Sequence, residues 1–416
     1  MLDQKNLTFS NIKHLAKALD LYQKSLAHFE QIGDLQGEAA VLYQIAGLYA
    51  EQGEVEQAIT LYQKTLEIDT NSGEAQGVAA TLNNLAAIYA QQGKVEEAIA
   101  LYQRSLKLKQ LIEDEQGVAA TLHNLASIYT QQGKVEEAIA LYQRSLELKQ
   151  LIGDEQGVAA TLHQLAILKA NSGQIEQAIA LYQQSLEITE RIGDAQTKAA
   201  TLHQLAILKA NSGQIEEAIA LYQQSLDIKE RIGDAQGKAA TLHELASLKA
   251  NTGQIEETIA LYQQVWEIFE RIGNVQGKAA TLHQLAILKA NSGQIEEAIA
   301  LYQKVWEIEE CIGNAQGKAA TLHQLANLEA NSGQIEEAIA LYQQSLEITE
   351  RIGDAQGKAA TLAMLGQLLA DQKGDFDTAL NYLQQSLEIL QRVQSPDAET
   401  VRRIIAIVQQ MAQKRE

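Results

Sequence analysis

The chain has 416 residues, 53 acidic against 33 basic, for a formal charge of −20. That balance argues against a nucleic-acid backbone as the main ligand and favours a neutral or basic partner. The single cysteine, Cys311, excludes an internal disulfide, and one proline beside 27 glycines suits helices closed by glycine caps.

In chain order, residues 1–11 are polar and too short for a helix of the usual kind. Ile12 to Ile32 then reads as an amphipathic helix, with Ala18, Leu21, Tyr22, Ser25 and Leu26 on one face. From Asp34 the text repeats every 40 residues, and full units begin at Asp34, Glu74, Asp114, Asp154, Asp194, Asp234, Asn274, Asn314 and Asp354. Within a unit such as that from Asp194, Leu202, Leu205 and Ala206 mark a first helix. Ala218, Leu221, Tyr222, Ser225 and Leu226 mark a second. Gly213 suits a left-handed cap between them, and Gly233 closes the pair. Connectors this short force antiparallel neighbours, with Ala206 against Ala218 where backbones approach. The helix from Ile12 matches a second helix, so the array opens on a half-repeat. The ninth unit carries one extra residue in Asp371-Gln372-Lys373-Gly374, which a loop should absorb. After Ser395-Pro396, Val401, Ile404, Ile405, Val408 and Met411 line one face of a capping helix, with Arg402, Arg403, Gln409, Gln410 and Gln413 outside. The expected organisation is a segment and half-repeat at 1–33, nine units over 34–394 and a cap at 395–416. The count is one helix, nine pairs and a cap, or twenty in all.

Leu202, Leu205-Ala206, Ala218, Tyr222 and Ser225 resemble the tetratricopeptide repeat pattern, with Ser for its usual Ala and Leu for its usual Trp. The period exceeds that family's usual length of about 34. The string TLNNLAAIYAQQGKVEEAIALYQRSL from Thr81 is similar to the long-helix variety of kinesin light chains and LGN-type adaptors. The resemblance implies an all-α fold, a right-handed α-solenoid of antiparallel helix pairs, with first helices lining the concave face. It also implies a scaffold that holds an extended peptide or partner helix there.

On that face one row runs Tyr43, Asn83, His123, His163, His203, His243, His283 and His323. Beside it stand Asn84, Asn124, Gln164, Gln204, Gln284 and Gln324, with Ile167 and Ile207 further along. Amides pair with a peptide bond in either sense, and Asn83, Asn84 and Asn124 match asparagines that hold a partner's backbone in the similar adaptors. The histidine ladder admits a pH response, since imidazoles charging together near pH 6 would make the face cationic. It forms a line rather than a tetrahedron, so metal binding is not expected. Lys169, Lys209, Lys249 and Lys289 should snorkel to water or attract an acidic peptide. Trp266 and Trp306 replace core leucines and should be core. Phe269 replaces Thr189, Lys229, Glu309 and Thr349 in other copies, which suggests exposure and a contact for another chain. Such a contact, or one through the half-repeat, is the expected exception to a monomer.

GDAQGKAA from Gly233 lacks the spacing of a phosphate loop. Every ladder histidine has identical copies, whereas catalysis needs a unique set of groups, so no enzyme and no cofactor are expected. No stretch reads as a signal peptide or a membrane span, which places the chain in the cytoplasm. The alternative function is an architectural or sensor array of a larger signalling assembly, acting through its ends or convex face.

Overall fold

The computed structural model describes residues 2–414, with side chains from residue 17 onward. Among the described residues the protein is all helix, twenty α-helices with one π-helical turn and no strand. The helices form two compact units, Met1–Ser212 and Gly213–Glu416.

Local chemistry sets the helix ends. A first helix opens where an Asp or Asn side chain accepts from the N–H three residues on. Asp114 takes Gly117 N at 2.8 Å and Asn274 takes Gly277 N at 2.8 Å. The pair usually closes on a left-handed glycine, as at Gly193 with φ 75°. Glu113, at φ 57°, holds that place in repeat 2 without being glycine.

Packing is layered within each unit. Ala126 and Ala138, one from each helix of repeat 3, share a buried cluster with Tyr142 and with Leu165 and Leu168 of the next first helix. The small pair lets the two helices approach, and the tyrosine fills the wedge up to the next repeat. Ala326, Ala338, Tyr342 and Leu365 repeat this layer in the second unit. A helix pair therefore completes its core only when another first helix covers it. Ser in place of Ala has a polar reason: Ser105, Ser145 and Ser185 donate to the carbonyls of Ala79, Ala119 and Ala159 at 2.7–2.9 Å, wholly buried. Each spans from a second helix back to its own first helix.

Four expectations are corrected. The first helix runs continuously from Leu2 to Ile32, so residues 2–11 extend the half-repeat instead of preceding it; whether their side chains cover its face lies outside the described residues. The extra residue of repeat 9 is taken up in the helix, where Leu369–Lys373 forms a π turn ended by Gly374, because an i→i+5 turn accommodates one more residue than an α turn. Trp266 and Trp306 are only half-buried, with Lys278 and Lys318 over their rings at 5.7 and 5.0 Å, although both indole N–H groups are enclosed without a partner. Phe269 is 9% exposed and packs over Gly277, where a Cβ would meet its ring at 2.8 Å. The glycine opens a recess that shelters the ring, which removes Phe269 as a contact for another chain.

The capping helix, Asp397–Gln413, buries Val401 and Val408 against Leu383, Leu387 and Leu390 of the last pair. Its arginines and glutamines face outward, as read from the sequence.

Candidate functional site: the face of the first helices

The row from Tyr43 is half-buried along its length. Five of the ladder imidazoles stand against the tyrosine of their own repeat. The ring centroids are 5.0 Å apart for His123 and Tyr142, 5.7 Å for His163 and Tyr182, 5.3 Å for His243 and Tyr262, 5.3 Å for His283 and Tyr302, and 5.6 Å for His323 and Tyr342. The imidazoles also join neighbouring repeats. Nδ1 of His123, His163 and His323 lies 3.0–3.1 Å from the hydroxyls of Thr161, Thr201 and Thr361. Thr201 spends its own proton on the Thr197 carbonyl at 2.8 Å. His163 must therefore carry its proton on Nδ1 and donate it, leaving Nε2 as an acceptor. Thr361, bonded to the Gly357 carbonyl, gives His323 the same tautomer.

Burial of these rings disfavours their charged form. It lowers His123 and His163 to about 4, with the nearby Lys149 ammonium adding to the effect at His123, and it also lowers His283 and His323. The expectation that the ladder charges together near pH 6 is thus corrected: His123 and His163 stay neutral there, and burial disfavours the charge on His283 and His323 as well. Among the described residues no group of three His, Cys, Asp or Glu side chains is arranged to hold a metal ion.

The amide row is engaged from below. Asn84 Nδ2 donates to the hydroxyls of Tyr43 and Tyr62 at 2.9 and 3.0 Å, leaving its Oδ1 as an acceptor. Asn124 bonds the Tyr102 hydroxyl, and the Asn83 amide lies 3.2 Å from the Thr121 hydroxyl. Burial holds the Tyr102, Tyr302 and Tyr342 phenols up at about 12, so these hydroxyls remain donors. Where Ser247 stands, Tyr262 has a partner at 3.0 Å, and Asn327 likewise accepts from Tyr342. Where Ile167 and Ile287 stand, Tyr182 and Tyr302 have no hydrogen-bond partner among the described residues. Gln164, Gln204, Gln284 and Gln324 are half-buried on the same face.

Successive first helices leave notches of two kinds. Near their C-terminal ends, Ile167, Asn171, Gln204, Ile207 and Asn211 surround the Tyr182 phenol in a cavity of about 240 Å³. Asn327, Met364, Gln367 and Asp371 surround Tyr342 in one of about 420 Å³. Near their N-terminal ends, His323 and Gln324 border a cavity of about 190 Å³ floored by Thr349, and Tyr43 borders one of about 390 Å³ floored by Asp69. The structure thus brings Ile167, Gln204 and Ile207 to one notch and His323 and Gln324 to another.

The lysines lean inward. Lys249 and Lys289 reach Glu257 and Glu297 at 2.8 Å, with side chains 16% and 17% exposed, and Lys169 donates to Gln174 at 2.9 Å. Lys198 and Lys358 pair with Glu190 and Glu350 at 3.0 and 2.7 Å. The snorkelling reading is corrected for Lys249 and Lys289: the carboxylate eight residues on, in the first turn of the second helix, is close enough to hold the ammonium against the protein. Much of the first-helix positive charge is thereby matched.

The sequence reading missed the floor of the N-terminal notches. Asp69, Lys109, Lys149, Thr189, Lys229, Phe269, Glu309 and Thr349 occupy one place in successive repeats, and all are at least nine-tenths buried. Variation among polar residues looked like exposure. The signal against it was the glycine eight residues on, as at Gly117 and Gly237, set in the first turn of a helix where it costs stability unless something must approach.

The sequence model described as tetratricopeptide repeat matches residues 13–71, 77–150, 157–231, 237–308 and 317–392. No curated protein matches the chain. Among solved structures, the chain is similar to the apo quorum sensor NprR from B. thuringiensis, at 16% identity and TM-score 0.55 over 81% of this chain and 99% of that one. It is similar to a STAND signal transduction ATPase with a tetratricopeptide repeat sensor from Pyrococcus horikoshii, at 17% identity and TM-score 0.59 over 80% of this chain and 49% of that one. BtubC (BKLC) from P. vanneervenii matches at 21% identity and TM-score 0.47 over 53% of this chain and 92% of that one. With most of its length matched by the family and its helix pairs packed in the corresponding way, the chain belongs to the tetratricopeptide repeat family.

Proposed function

We propose that the face of the first helices binds an extended peptide segment of a partner protein. The observation that carries this reading is the notch at Tyr182. There an unpartnered phenol lies among the amides of Asn171, Gln204 and Asn211 and the side chains of Ile167 and Ile207. An apolar recess with a few convergent polar groups suits a side chain seated beside a hydrogen-bonded backbone. The neutral imidazoles add acceptors for peptide N–H groups along the same face. The partner is a protein rather than a nucleic acid, given the charge of −20. The sensor named in the STAND protein and the quorum sensor NprR favour one variant of this reading, in which the array is the ligand-sensing part of a larger signalling assembly.

The test uses the full chain and a phage-displayed library of random dodecapeptides. Peptides selected on the wild type are titrated against a variant carrying Gln164→Ala, Gln204→Ala, Ile167→Ser and Ile207→Ser. The serines copy Ser127 and Ser247, which the array already places there. Affinity should fall at least roughly ten-fold. An unchanged Kd for every selected peptide would remove the face of the first helices as the binding surface.

A further inference from the structure

We propose that the slot between the first helices of repeats 1 and 2 receives the cationic head of a lysine or arginine side chain from the bound peptide, with Asp69 as its counter-ion. This deepens the peptide-binding reading and rests on it.

The slot is a cavity of about 390 Å³ bordered by Gln36, Ala40, Tyr43, Asp69, Glu74 and Gly77. Asp69 is 6% exposed and has no side-chain hydrogen bond or ion pair among the described residues. A carboxylate buried without a partner is costly. Twelve residues on, the Thr81 hydroxyl is also enclosed without a partner. The only lysine of the same second helix, Lys64, is held elsewhere by Glu38 at 2.8 Å and Glu30 at 3.7 Å.

The other repeats show what such a slot takes. Lys109 occupies the place of Asp69 one repeat later, and its ammonium donates to the Thr121 hydroxyl at 2.9 Å and the Gly117 carbonyl at 3.3 Å. Lys149 does the same with Thr161 and Gly157 at 3.0 and 3.4 Å, and Lys229 with Thr241 and Gly237 at 2.7 and 3.2 Å. The walls at this register are therefore an ammonium cradle, used three times by the chain's own lysines. Beside Asp69 the equivalent acceptors are the Gly77 carbonyl and Thr81. The internal lysine is replaced by a short acid, which empties the cradle and adds a charged acceptor to it. Glu74 deepens the negative field. It opens its helix without capping it, unlike the aspartates at that place in other repeats, and receives the Gln36 amide instead. Burial, then repulsion from Glu74, pushes the Asp69 carboxyl above its usual range, and an incoming cation would relieve both. The other acidic floor, Glu309, is not equivalent: its longer side chain takes a hydrogen bond from Asn314, and only Oε2 is enclosed without a partner.

The experiment titrates the full chain with N-acetyl-arginine methylamide and with its neutral isostere N-acetyl-citrulline methylamide, by calorimetry. Nonapeptides with a central arginine or citrulline form a second arm. The arginine probe should bind at least roughly ten-fold more tightly than the citrulline probe, and the arginine peptide more tightly still. Asp69→Asn should erase the preference. Asp69→Lys, which copies Lys109, should fold with a higher Tm because Thr81 gains its donor, and should no longer distinguish the probes. Equal binding of the two probes to the wild type, or a preference that survives in Asp69→Lys, would overturn the assignment. An arginine peptide that binds no better than the single residue would overturn the peptide as source and leave a small free cation. The Gln164/Gln204/Ile167/Ile207 variant leaves this slot intact, so failure of the peptide-binding reading and failure of the slot are read separately.

Discussion

At the scale of single residues, the positions that break the repeat are the informative ones. Glu113 adopts φ 57° where the neighbouring units have glycine. A left-handed conformation costs an L-residue on the order of 1 kcal/mol, partly offset by the greater freedom of glycine in the unfolded chain. Glu113→Gly should therefore raise stability by roughly 0.5–1 kcal/mol, read as a higher urea midpoint at unchanged slope. Phe269 makes the opposite case. An exposed phenylalanine could be truncated at little cost, whereas one packed over Gly277 should lose about 3 kcal/mol on Phe269→Ala. Chemical denaturation distinguishes the two outcomes. The same residue shows where reading by pattern fails. Substitution among Thr, Lys, Phe and Glu is the mark of a surface only if the wall above it is fixed. Here the wall above Lys229, Phe269, Glu309 and Thr349 is a glycine, and the space it leaves admits any of them; above Thr189 the wall is Thr197.

At the scale of the helix, each element is stable through what lies on both sides of it. Tyr142 is shared between its own pair and Leu165 and Leu168 of the next repeat, so no pair closes its core alone. This part was legible beforehand, because helix periods, glycine caps and the 40-residue step all follow from backbone geometry and burial. The candidate site was legible only as a face. Spacing placed the imidazoles and amides on the first helices, but it could not show that Asn84 would be held by Tyr43 and Tyr62, nor that His163 would be fastened to Thr201. Such bonds depend on the offset between neighbouring helices, which no single helix encodes. At the C-terminal end, Leu383, Leu387 and Leu390 depend on Val401 and Val408 for cover. A chain ending at Gln394 should expose them and aggregate. Light scattering at rising concentration would show this, and a chain that stayed monomeric without the capping helix would contradict it.

At the scale of the whole molecule, the pH response should appear in stability rather than in groove charge. Imidazoles of the unfolded chain titrate near 6.5, whereas His123 and His163 resist protonation to about 4 and His283 and His323 are also lowered. Above pH 6.5 both states are neutral and the contribution is complete. As pH falls from 6.5 toward 4 the unfolded state binds protons that the fold refuses, and stability declines. Asp69 and Glu309, raised by burial, act in the other sense, so the comparison must be made within a variant pair. Tm measured at pH 7.5, 5.5 and 4.5 should fall less in His163→Gln than in the wild type; equal slopes would remove this histidine as a source. Among the described residues no helix is long and apolar enough to cross a membrane.

The near-identity of the walls around each N-terminal slot, with the floor residue the most varied, bears on how such a protein is inherited. Blocks of gene so alike in register invite misaligned exchange during replication or recombination. Each exchange would add, delete or reorder a floor while every junction between neighbours met the same partner surface as before. A lineage could thus rewrite what the protein recognises in single steps, without first repairing the fold.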